Sequence, residues 1–281
     1  MKCFTLILLL ISINANGQFA IIDDKNGYTN VRKNKDPESD IVGRLYNEDV
    51  FLIDEYYVPR HPEDEWIEIY QNVFLDKIEP FKRDYYIKEF MHNKNDFFIC
   101  HGYISKSRYV PLKNLEEIKT QTKFFPVKDR SSSLENDSIL YFNDSINLLF
   151  VYGRFNPSEH KIQKHIDRSG HEIIDKIDDN PPIRGIFGNM PSSDIKNIKL
   201  TVKSELVEIP KQDYWDLFNP KMWNVSLRID KRGTIYIYLF DNADGAAWYA
   251  AVWIINGYKY IKRYVDSPGW VLHQNFFSYF T

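Results

Sequence analysis

Cysteine is almost missing from this chain of 281 residues: there are two, Cys3 and Cys100. Cys3 falls inside a leader-like start, so a mature chain would keep Cys100 alone and form no internal disulfide. A disulfide-stapled scaffold is thereby excluded, and stability has to come from buried cores. Cys100 sits in an apolar run, residues 97–100 (FFIC), where a small buried hydrophobe is the ordinary reading.

Long apolar runs are missing too. Residues 4–13 (FTLILLLISI) form a run of ten, which as a helix rises about 15 Å, half the roughly 30 Å of a membrane span. Lys2 precedes this run, and residues 14–17 (NANG) follow, with Ala15 and Gly17 at −3 and −1 of a cleavage before Gln18. That is the pattern of a secretory signal. Cys3 precedes the run instead of following it, which argues against a lipid anchor. The expectation is a cleaved leader over 1–17 and an exported chain, periplasmic or extracellular, with no integral membrane segment left after cleavage.

Basic charge is not in surplus. Lys and Arg number 36 against 39 Asp and Glu, a net charge of −3, which gives no electrostatic footprint for nucleic acid or an anionic membrane. There is no repeat of fixed period and no low-complexity tract. No G-x-S-x-G elbow, H-E-x-x-H pair or phosphate-binding glycine loop occurs. Cys100 and His101 are adjacent, which in a strand sends their side chains to opposite faces. The chain is therefore expected not to be an enzyme and to hold no cofactor.

Two stretches invite a metal reading and are turned down. Residues 241–245 (DNADG) resemble a fragment of a calcium loop, but residues 246–251 (AAWYAA) supply no closing carboxylate, so a turn is expected. His160, His165 and His171 are spaced by five and six, do not stack on a helical face, and have no cysteine beside them. A solvated loop is expected there, with no metal.

What the chain has in plenty is aromatic residues: 19 Tyr, 19 Phe and 6 Trp. These favour pleated, half-buried surfaces and also make binding platforms. The front half reads as short strands: 20–22, then the turn 24–27 (DKNG), 28–32, 41–45 and 50–53. Residues 65–70 (EWIEIY) alternate polar and apolar, as a strand with one buried face does. Residues 113–120 (KNLEEIKT) are charged and weakly helical and mark a boundary near 113–122. Behind it, 145–153, 195–200 and 206–209 are strand candidates, and residues 214–218 (YWDLF) suggest a helical turn or two ended by Pro220. Residues 233–240 (GTIYIYLF), 248–255 (WYAAVWII) and 258–265 suggest an antiparallel meander.

In the front half, residues 27–32 (GYTNVR), 41–45 (IVGRL), the Trp66 strand and 102–108 (GYISKSR) resemble a bacterial SH3 (SH3b) domain over residues 19–112. The resemblance implies a small SH3-like β-barrel over 18–113 that binds a cell-wall glycan or peptide, or an envelope protein. Its groove aromatics would be Tyr28, Trp66 and Tyr103, set against the alternative that these rings fill the barrel core. Asn30 and Arg32 are expected to hold the turn after Gly27. Residues 71–101 form an insertion longer than the family carries, with a helical pattern at 85–91 (YYIKEFM). The back half, 122–281, is similar through residues 186–191 (IFGNMP), 209–220 and 244–246 to C-terminal regions of uncharacterised exported bacterial proteins. It is expected as an α+β domain of unknown function built on the meander. The fold class expected for the whole is mostly β with some α. The expected function is binding, with an inhibitor or immunity protein, or a divergent cell-wall hydrolase, as the alternatives.

Overall fold

The structure, a computed structural model, describes residues 18–53, 63–74, 97–126, 136–179, 185–186, 188–241 and 249–266. The first seven strands are β1 (Gln18–Ile22), β2 (Tyr28–Arg32), β3 (Ile41–Tyr46), β4 (Val50–Ile53), β5 (Trp66–Phe74), β6 (Phe97–Ser105) and β7 (Tyr109–Pro111). They form one antiparallel sheet in the order β3-β2-β6-β5-β4-β1-β7. The turn before β2 follows from its sequence: Gly27 takes φ +82°, which only glycine adopts freely. The Asp24 carboxylate accepts the Asn26 N–H at 2.8 Å, as Asp does in such turns.

This sheet is not the closed barrel expected from the sequence, because β3 and β7 end the strand order without pairing to each other. Its weakest link is β2 to β6, joined at a single pair, Arg32 with Tyr103. Gly102 makes that crossing possible. A Cβ there would meet Val31 Cγ1 at 2.4 Å and the Arg32 carbonyl oxygen at 3.0 Å. The expected 71–101 insertion is in part a longer hairpin, since β5 and β6 pair from Trp66 with Ser105 out to Phe74 with Phe97. Residues 75–96, with the helical pattern at 85–91, lie outside the described residues.

The remaining strands are β8 (Glu116–Glu117), β9 (Gln121–Phe125), β10 (Asn136–Phe142), β11 (Ile146–Arg154), β12 (Ile162–Ile166), β13 (Glu172–Ile177), β14 (Ser193–Val202), β15 (Glu205–Val207), β16 (Val225–Ile229), β17 (Thr234–Asp241), β18 (Tyr249–Asn256) and β19 (Lys259–Asp266). A second sheet runs β15-β14-β11-β10-β9, and a third runs β19-β18-β17-β16-β8. The third is the meander anticipated from the aromatic and β-branched run at the C-terminal end. β12 and β13 make a separate hairpin.

The chain is mostly β, but the expected α content is not found among the described residues. Helical structure there is limited to 3-10 turns of three residues. Residues 214–218, expected as helical turns, follow one such turn (Lys211–Asp213), and Tyr214, Leu217 and Phe218 are spent on burial against the sheets. Residues 113–120 are likewise not α-helical: Lys113 and Asn114 end a 3-10 turn (Leu112–Asn114), and β8 then adds to the meander, with Glu116 and Glu117 opposite Ile229 and Arg228. No described helix is long and apolar enough to cross a membrane.

Two cores explain why residues 248–255 are apolar without alternation. One face of the meander, with Ile235, Ile237, Leu239, Trp253 and Ile255, packs on Leu148, Phe150, Ile198 and Leu200 of the second sheet. The other face, with Tyr236, Ala250, Val252 and Ile254, packs on Phe19, Ile21 and Val50 of the first and on Leu112 in the turn that follows β7. The meander is thus the middle of three stacked sheets, and β18 is buried along all but its last residue. Trp253 contributes most volume there, burying its ring fully and donating from Nε1 to the Asp213 carbonyl at 2.8 Å.

Candidate functional site

Alternation along the strands of the first sheet sorts its side chains onto two faces. Val31, Leu45, Phe51, Ile53, Ile67, Ile69 and Ile104 point inward to a common core. Their neighbours point out. The outer face therefore carries Phe19, Ile21 and Val50 on β1 and β4, and Trp66, Glu68, Tyr103, Arg32, Asn30 and Tyr28 on β5, β6 and β2. The β1–β4 part is covered by the meander. The β5-β6-β2-β3 part is not in that contact, and it holds all three aromatics singled out from the sequence.

Tyr28, Trp66 and Tyr103 are each half-buried and none belongs to the core, so the core-filling alternative is corrected. The parity of residues 65–70 already carried the signal. Trp66 shares its face with Glu68, and a carboxylate there marks the solvent side. The three do not meet at one point. Trp66 and Tyr103 are diagonal neighbours, with Trp66 opposite Ser105 and Glu68 opposite Tyr103. Tyr28 lies four residues before Arg32, the partner of Tyr103, which at about 3.3 Å per residue is roughly 13 Å along the strand.

Cations sit over the rings. The Arg44 guanidinium carbon is 4.8 Å from the Tyr28 ring centre, and Tyr46 packs beside the same ring at 6.2 Å. Lys35 Nζ is 5.8 Å from the Tyr103 ring centre and 2.9 Å from Asp64. Such stacking is worth about 0.5–1 kcal/mol at exposed sites. Asn30 and Arg32 do not hold the turn after Gly27. Asn30 Oδ1 accepts from Arg44 Nε at 3.2 Å, and Arg32 donates to the Ser39 carbonyl at 2.6 Å, so both brace β2 against β3 and its loop. Arg44, Tyr46 and Lys35 were missed from the sequence, because only the β2–β3 register brings them to this face.

The histidines do not form a cluster. His160 Nδ1 is 2.7 Å from Asp178, His165 Nδ1 is 2.8 Å from Asp175, and His171 lies 3.7 Å from Asp167. His160 also stacks on Phe155, ring centres 4.6 Å apart. Partial burial works against ionisation of Asp178. The hydrogen bonds from His160 and the Lys161 N–H outweigh it and hold the carboxyl below its ordinary range. Among the described residues no three metal-ligating side chains come together. Cys100 pairs with Gln71 in the β5–β6 ladder, and its side-chain surroundings lie outside the described residues, as do positions 242–248 of the calcium-loop fragment.

No family model, curated protein or solved structure matches the chain. Its class therefore rests on its own architecture: among the described residues, an antiparallel β protein of three larger sheets and one two-stranded hairpin.

Proposed function

We propose that this is an exported, non-enzymatic binding protein whose SH3b-like first sheet engages a cell-wall glycan or peptide, or an envelope protein, through the face bearing Tyr28, Trp66 and Tyr103. The observation that carries the reading is the shared outward orientation of these three rings, each half-buried, on the part of the sheet the meander leaves open. An aromatic face packs on a sugar ring or an apolar side chain while neighbouring polar groups hydrogen-bond. Here Arg44, Asn30, Glu68 and Lys35 supply those groups. The stripe's length, roughly 13 Å between the Tyr28 and Tyr103 rows, suits an extended ligand such as a glycan or peptide strand rather than one compact molecule.

The test is retention of residues 18–281 on purified peptidoglycan and on immobilised envelope proteins, with Trp66→Ala in parallel and circular dichroism to confirm folding. Retention that falls in the folded variant supports the reading; a protein held by neither matrix sinks it.

A second reading, a partner-binding inhibitor, has one observation in its favour. β9 is the end strand of the second sheet, exposed at every residue, with Phe124 and Phe125 both open to solvent. Such edges accept an added strand from another chain. Loss of a defined partner complex on Phe124→Asp, with peptidoglycan retention intact, would favour it.

A further inference from the structure

We propose that β9 binds an extended strand of a partner protein in which carboxylate and apolar side chains alternate; this rests on the partner-binding reading of that edge and adds the partner's chemistry. β9 ends the second sheet, and among the described residues no strand pairs with its far side. An end strand with that side open offers a row of backbone donors and acceptors to an incoming chain. All five residues of β9 (Gln121–Phe125) are exposed, so the edge is reachable from solvent.

The two faces of β9 ask for different side chains. Ile139 and Tyr141 of β10 point into the core between the second and third sheets. Phe124 and Thr122 lie opposite them in register, so Phe124 continues that core outward. Its ring is nevertheless 49% exposed, an apolar surface left uncovered at the rim of the two sheets. A second exposed ring stands near it: Trp223, 68% exposed, follows Met222, whose carbonyl accepts the Tyr141 hydroxyl. An apolar side chain on the inward side of an added strand would cover this surface, and removing apolar area from water is favourable. On the outer face stand Lys123 and Phe125, the Lys123 ammonium 4.9 Å from the Phe125 ring centre.

The charge on this edge selects the partner. Residues 118–126 (IKTQTKFFP) carry two lysines and no acidic residue. Lys119 and Lys123 are both exposed, and neither has an ion pair among the described residues. The acids just before them, Glu116 and Glu117, sit on β8 of the third sheet, where Glu117 lies 3.8 Å from Arg228. A carboxylate opposite Lys123 therefore gains an ion pair across the strands. The same lysine selects against a second copy of this chain. Two β9 strands paired antiparallel about their middle residue, or parallel in register, set Lys123 against Lys123. Like charges directly opposite destabilise a sheet, and edge lysines guard against such self-pairing.

The test is an NMR titration of residues 18–281 at low ionic strength with the peptide Ser-Val-Glu-Val-Glu-Val-Ser and, separately, with Ser-Val-Lys-Val-Lys-Val-Ser. The acidic peptide should shift the amides of Gln121–Phe125 saturably, with Kd at or below about 1 mM, and bind at least about fivefold tighter than the basic one. Lys123→Glu, a change at an exposed position with circular dichroism to confirm folding, should reverse that order. Equal binding of the two peptides, or an order that Lys123→Glu leaves unchanged, would overturn the proposed partner chemistry and leave β9 as a strand-binding edge. Shifts absent with both peptides would overturn it together with the partner-binding reading of β9. A dimer of the protein alone in sedimentation, with β9 amides that shift on dilution, would assign the edge to a second copy and overturn it as well.

Discussion

Arg44 lies over the ring of Tyr28, its guanidinium carbon 4.8 Å from the ring centre, while its Nε donates to Asn30. The two residues sit on adjacent strands, and Arg44 reaches Tyr28 from its place opposite Asn30. Arg44 thus covers one face of the ring, and Tyr46 lies beside it in a tilted arrangement. Arg44→Ala should cost at most about 1 kcal/mol of stability in urea unfolding, the scale of an exposed cation–π contact. It should nonetheless weaken retention on the ligand matrix, because Tyr28 loses its fixed orientation. A large stability loss with unchanged retention would assign Arg44 a purely structural role.

Gly102→Ala should destabilise by about 1–3 kcal/mol, the usual cost of forcing atoms into a packed core. The new methyl would lie 2.4 Å from Val31 Cγ1. A double-mutant cycle with Val31→Ala checks the cause. If the clash is responsible, the two changes together cost less than their separate costs added.

Trp253→Ala should cost about 3–5 kcal/mol, because the ring is fully buried in the core between the second and third sheets. Trp253→Phe keeps most of the volume but leaves the Asp213 carbonyl without its indole donor, and should cost less. Thermal unfolding of both variants gives the order.

Acid should loosen the β12–β13 hairpin. The Asp178 carboxyl is held below its ordinary value of 3.8. Its stabilisation is present above that value and is lost as pH falls through the lowered one. Protection of the amides in residues 162–177 against exchange, taken relative to the intrinsic rate at each pH, should therefore fall below about pH 4. In Asp178→Asn that acid step should shrink, since the ionisable partner of His160 is gone. An unchanged acid step in the variant would move its cause elsewhere.

Asp230→Ala should be among the costlier single changes at the junction of the sheets. The carboxylate accepts the Arg232 and Thr234 N–H groups at 2.9 Å each and the Arg232 side chain. Removing it leaves buried donors unpaired, at about 1–3 kcal/mol. Chemical unfolding measures the loss, and Lys231→Ala, a change at an exposed pair, should cost under about 1 kcal/mol by comparison.

Local signals in the sequence settled a good part of this protein. The alternation of residues 65–70 set the inward and outward faces of β5. Gly27 after Asp24 set the first turn, and the aromatic and β-branched run near the C-terminal end set the meander. These are short-range effects of backbone geometry, period and turn chemistry, which act within a few residues. The histidine segment, expected as a solvated loop, is instead built around the β12–β13 hairpin, with His165 on β12 and His160 stacked on Phe155.

What only the tertiary structure decided is which part of each face is covered. Nothing local tells that Phe19 and Ile21 dock on the meander while Tyr28 and Trp66, on the same outer face, lie outside that contact. The residues that make that junction polar at its rim lie far apart in the chain: Lys231 with Asp23, Arg232 with Asn47, Lys262 with Asp49. Burial and ion pairing depend on surfaces brought together after the strands form. A strand's own pattern shows that it has an apolar face, and only packing chooses the partner.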